Sequence, residues 1–69
     1  MSMPDFPARV RAERSRLGLT QEQAAELIGC GRGSYRQLEE GTNDPRLSTV
    51  IRLVGAGYRL RTLAPELAD

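Results

Sequence analysis

The segment Leu19–Gly41, LTQEQAAELIGCGRGSYRQLEEG, constrains the fold of this chain more than any other part of it. Thr20-Gln21-Glu22-Gln23 has the spacing of a capping box. In that arrangement the Thr hydroxyl accepts from a backbone N–H while the Gln side chain reaches back to the cap. Ala24, Ala25 and Ile28 then form an inner face whose small side chains let another helix approach closely. Gly29 stops this helix and Cys30-Gly31 makes a tight turn. The spacing predicts a next helix from about Arg32 to Glu39 or Glu40, with Tyr35 and Leu38 as a narrow buried face and Gly41 as its stop. A helix, a glycine turn and a second helix in so short a run is the outline of a helix-turn-helix.

The rest of the chain reads as support for that unit. With 69 residues it makes one small domain, 1–69. Such a chain buries only about 60% of its unfolded surface, and dimerisation is one remedy for the marginal core. Asp5 is placed to cap a helix starting near Phe6-Pro7 and running to about Leu17, with Phe6, Val10 and Leu17 on one apolar stripe. Gly18 ends it. Thr42-Asn43-Asp44-Pro45 is a turn-rich loop. A further helix from about Leu47 to Ala56 carries Leu47, Val50, Ile51 and Val54 at spacings of three, four and seven, a pattern that faces a core. Tyr58-Arg59-Leu60-Arg61-Thr62-Leu63 alternates apolar and polar residues and predicts a strand, with Pro65 as its stop. A lone strand must pair its N–H and C=O groups somewhere, and the same strand of a second copy is the economical partner. The alternative is a frayed tail. The expected fold is therefore mainly α: four or five helices in a compact bundle, plus a short C-terminal β-strand at 58–63 pairing across a dimer.

Composition removes whole classes of function. There is no His, hence no imidazole base and no usual zinc site. Neither a phosphate-binding loop nor a carboxylate pocket is evident, so the expectation is no enzyme, no cofactor and no metal. A single cysteine, Cys30, precludes an internal disulfide and suits a reducing cytoplasm; it reads as a buried, inert thiol or a redox sensor. No apolar run approaches the roughly 18 residues of a membrane span. The net charge is only +1, yet all ten basic residues are Arg. Arg grips phosphate or guanine bidentately, while a genome rich in G and C also favours Arg codons.

The runs RLGLTQEQAAELIG and LEEGTNDPRLSTVIRL, with the Arg-to-Glu spacing between Arg14 and Glu39, resemble the Xre/Cro/CI class of helix-turn-helix repressors over about residues 8–57. The stretch PRLSTVIRLVGAGYRLRTLAP is similar to HipB-type antitoxins. The first resemblance implies a lambda-repressor-like fold and dimeric binding to double-stranded operator DNA. The second implies autoregulation and a HipA-like kinase toxin as partner, with a stand-alone phage or plasmid regulator as the alternative. A protein-interaction module without DNA binding is the alternative of another class. A cytoplasmic protein, nucleoid-associated when on DNA, follows from the same resemblance.

By position, the resemblance assigns Arg32, Gly33 and Gln37 to base reading, with Ser34 and Arg36 beside them. Arg suits guanine O6/N7 and Gln suits adenine N6/N7. Gln21 matches a phosphate contact at a helix N-terminus, whose free N–H groups attract anions. Thr42, Asn43 and Arg46 are placed on the same phosphate-facing rim, although Arg46 also reads as a surface charge. Arg14 and Glu39 match an internal salt bridge. Tyr58, Leu60, Thr62 and Leu63 are the expected dimerisation residues of the strand. Three departures from the family pattern stand out: Gly31 where a Ser or Thr cap is usual, Gly33 without a side chain to read with, and Tyr35 in place of a smaller aliphatic residue.

Overall fold

A computed structural model describes residues 5–41 and 45–67. Five helices follow one another: α1 (Phe6–Arg16), α2 (Gln21–Ile28), α3 (Arg32–Glu40), α4 (Leu47–Gly55) and α5 (Leu60–Leu63), with a 3₁₀ turn at Pro65–Leu67. α3 packs on both α1 and α2, α4 on α2 and α5, and α5 returns to α1. The core between them holds Phe6, Val10, Ala24, Ala25, Ile28, Tyr35, Val50, Leu53, Tyr58 and Leu63.

Local chemistry accounts for most helix ends. Thr20 Oγ1 accepts from Gln23 N at 3.0 Å, and Gln23 Oε1 accepts from Thr20 N at 2.9 Å, so both bonds of the capping box form. Gly29 closes α2 at φ +75°. Gly41 closes α3 at the same φ, and a Cβ there would lie 2.7 Å from Pro7 Cγ. Backbone conformation and close packing against the start of α1 therefore both require glycine at 41. Asp5 precedes α1 without a side-chain cap bond; its carboxylate instead lies 3.8 Å from Arg9.

Two further expectations need correction. The first is the strand at 58–63: no strand occurs among the described residues, and this stretch turns into α5. Leu63 N donates to Arg59 O at 3.0 Å and Ala64 N to Leu60 O at 2.8 Å, so the backbone is satisfied within one helical turn. The Glu13 carboxylate accepts from Arg59 N at 2.8 Å and starts that turn from across the domain. Leu60, Leu63 and Ala64 stand three and four apart, a helical spacing that outweighs the shorter alternation before it. Tyr58 and Leu63 are buried in the protomer's own core, and Leu60 and Thr62 are half-buried, so none of the four residues is laid out along a strand edge for a partner. The dimer ribbon built on that strand goes with it.

The second correction concerns α4. It meets the core through Val50 and Leu53, whereas Leu47, Ile51 and Val54 are 67%, 62% and 40% exposed. α4 is apolar around a wider arc than so small a bundle can cover, and the contacts of α2 and α5 take up only one edge of it.

Candidate nucleic-acid interface

α3 is fixed from within and bare outside. Tyr35 and Glu39 are buried and Leu38 is half-buried, while Arg32, Gly33, Ser34, Arg36 and Gln37 are exposed. An α-helix with its side chains is about 10–12 Å across, which fits a major groove about 12 Å wide. Arg36 and Glu40 form an exposed i,i+4 pair at 3.5 Å. Arg32 forms no ion pair among the described residues. At Gly33 an added Cβ would meet nothing within 4 Å, so packing within the protomer does not call for glycine there.

Beside this face, Arg14, Thr20, Gln21, Glu22, Arg32 and Arg36 line an open notch between the start of α2 and α3. The first N–H groups of a helix lack intrahelical partners, and the Thr20 side chain satisfies that of Gln23 alone. The notch thus combines a helix N-terminus with three guanidiniums; Arg14 is paired with Glu39 and Arg36 with Glu40, and Glu22 also lines it, which leaves Arg32 as the notch's unpaired cation among the described residues.

Glu39 holds two of the side chains that line the notch, Arg14 and Gln21. Arg14 Nε donates to its Oε2 at 2.6 Å, and Arg14 Nη2 and Gln21 Nε2 donate to its Oε1 at 3.3 and 3.0 Å. Arg14 Nη1 also donates to Leu19 O at 2.9 Å, and Arg11 donates to the backbone oxygen of Glu39. Burial alone would raise the Glu39 pKa, but hydrogen bonds from Arg14, Gln21 and Tyr35 hold it below the usual carboxylate range. The same pairing raises the pKa of Arg14. One carboxylate therefore ties α1, the N-terminus of α2 and the end of α3 together. Gln21 has a second amide hydrogen and points it from a fixed side chain.

Arg46 is the residue before α4, in extended conformation and exposed, without an ion pair among the described residues. Thr42 and Asn43 lie outside the described residues.

Three structural groups escape sequence reasoning. Glu13 is buried and binds Arg16 Nη2 and Arg59 Nη2, each at 3.0 Å, besides Arg59 N. Burial works against its charge, yet the bonds from Arg59 and Arg16 bring its pKa down to about 2. The signal was present: Glu13 falls on the stripe Phe6, Val10, Leu17, three after Val10 and four before Leu17. Arg16 further donates to Gly57 O at 2.8 Å. The third group is the hydroxyl pair of Tyr35 and Tyr58, 2.5 Å apart in the core. Cys30 is half-buried, and burial raises its pKa against the opposing effect of Arg52.

The helix-turn-helix domain family model matches residues 5–65. The cryptic phage CTXphi transcriptional repressor RstR of Vibrio cholerae is 40% identical over 48 residues, which cover 70% of this chain and 43% of that protein. The chain thus spans less than half the length of this curated relative. No solved structure matches it at a significant level. With two helices joined by a glycine turn, a buried Glu39 carboxylate paired with Arg14 beneath them and a family match across nearly the whole chain, this is a helix-turn-helix domain of the Xre/Cro/CI type.

Proposed function

We propose that the chain is a sequence-specific DNA-binding transcriptional repressor. The observation that carries this reading is the division of α3. Its inner face is anchored by Tyr35, Leu38 and Glu39, and its outer face offers Arg32, Ser34, Arg36 and Gln37 to solvent next to the arginine-lined notch. Arg32 and Gln37 are the base readers in this scheme, and Gln21, Arg46 and the start of α2 meet phosphates. Gly33 lets the groove floor come close to the helix backbone. The likeness to a phage repressor supports the same reading.

Among repressors we favour a stand-alone regulator of phage or plasmid type. The antitoxin reading, with its HipA-like kinase partner, leaned on a terminal strand, and α5 occupies that position.

Selection from a pool of randomised duplexes tests the function. A repressor of this kind enriches one short motif over successive rounds. A pool that stays random after repeated rounds would overturn it.

A further inference from the structure

Four side chains from three parts of the chain form one line of hydrogen bonds from the core to the notch. The Tyr58 and Tyr35 hydroxyls meet at 2.5 Å. Tyr35 bonds the carboxylate of Glu39, one turn further along α3. That carboxylate accepts from Gln21 Nε2 on its Oε1 at 3.0 Å. Tyr35, Tyr58 and Glu39 are buried, whereas Gln21 is half-buried at the start of α2, so the line surfaces at Gln21. Chemistry fixes the order of donation. An ionised carboxylate only accepts, so Tyr35 donates to Glu39, and its oxygen accepts from Tyr58. Buried hydroxyls cost free energy unless they are bonded, so the two tyrosines are explained by what they hold rather than by the volume they fill.

We infer that Tyr35, supported by Tyr58, is a positioning residue for the phosphate contact of Gln21, acting through the Glu39 carboxylate. Arg14 holds Oε2 of that carboxylate at 2.6 Å and reaches Oε1 only at 3.3 Å. The oxygen that carries Gln21 is thus the less firmly held of the two. Tyr35, bonding the same carboxylate from the core side, limits its rotation. One amide hydrogen of Gln21 is then fixed on Glu39 and the other is left for a phosphate oxygen. A glutamine set in place before DNA arrives loses less rotamer freedom on binding. The inference rests on the repressor reading, in which Gln21 meets phosphate, but the link itself can be measured without DNA.

Two measurements on the full chain test it. The first is heteronuclear NMR of the Gln21 side-chain amide in the free protein. In Tyr35→Phe its resonances move towards those of the exposed Gln37, and its hydrogens exchange faster with water. Tyr58→Phe moves them the same way by less. Resonances that stay in place in both variants would overturn the inference. The second is a double-mutant cycle on binding to a random duplex at low salt. Tyr35→Phe weakens binding about two- to tenfold, and has no effect once Gln21→Ala is in place. The same loss in both backgrounds, or none in either, would overturn the inference and leave Tyr35 a purely structural role. Should Tyr35→Phe lose helix content, Tyr58→Phe takes its place in the cycle. A wild type that binds no DNA would overturn the repressor reading and the phosphate role of Gln21 together, and the resonances distinguish that result from loss of the Tyr35–Gln21 link.

Discussion

The hydroxyls of Tyr35 and Tyr58 meet at 2.5 Å in the core, joining the middle of α3 to the segment that leads from α4 into α5. Burial raises the pKa of both, so both stay neutral and share one proton donation. Removing a single hydroxyl leaves its partner with one bond fewer in a dry site. We expect Tyr58→Phe to cost about 1–2 kcal/mol in urea unfolding. The double variant Tyr35→Phe/Tyr58→Phe should cost less than the two single changes added, because neither oxygen is then left behind. Additive losses would show that the pair carries no coupling.

Glu13 makes stability depend on acidity. Its pKa falls from 4.5 to about 2 on folding, so its contribution is complete above about 4.5 and disappears as pH drops from there towards 2. Chemical denaturation across that window should show the wild type losing stability with acid. Glu39, also held below its ordinary range, contributes to the same slope. Glu13→Gln should be less stable by about 1–3 kcal/mol at neutral pH and should flatten part of the slope. An unchanged slope would mean that Glu13 keeps its ordinary pKa in the folded protein.

Arg14 neutralises a carboxylate that is 2% exposed. Arg14→Met keeps much of the aliphatic stem but strands Glu39 with Gln21 and Tyr35 as its remaining donors. A loss of about 3 kcal/mol is expected in thermal or urea unfolding. Adding Glu39→Gln to that variant should recover part of the loss, because the buried charge goes too.

How far these features could be read from sequence follows the reach of the interactions. The capping box at Thr20, the glycine stops at 29 and 41 and the buried face of Tyr35 and Leu38 are local patterns, and they were legible residue by residue. The end of the chain was not. α5 begins where Glu13, 46 residues earlier, accepts from Arg59 N, and no local window contains that bond. The alternation from Tyr58 to Leu63 pointed to a strand, while Leu60, Leu63 and Ala64 carry the spacing of a helix across its end. On α4 the periodicity was real, but periodicity marks an apolar face without saying what covers it. The core reached Val50 and Leu53 and left Leu47, Ile51 and Val54 outside. On the proposed DNA side, the residue types on α3 were legible. The bond that fixes Gln21 to Glu39 needed the folded arrangement.

Base reading and phosphate binding should separate by mutation. Gln37→Ala is expected to cost about 1–3 kcal/mol on the selected site and to relax preference at one base position. An equal loss on random DNA would remove Gln37 from base reading. Arg46→Ala is expected to weaken binding to all sequences alike and to lower the salt slope by about 1. An unchanged slope would make Arg46 a surface charge.

The most direct test of DNA reading by this domain is a gel shift with the motif enriched from randomised duplexes, against random DNA of equal length, at two salt concentrations. A sequence-specific repressor prefers the enriched motif by at least about a thousandfold, with affinity for both falling as salt rises. Equal and weak binding to the two duplexes would contradict it.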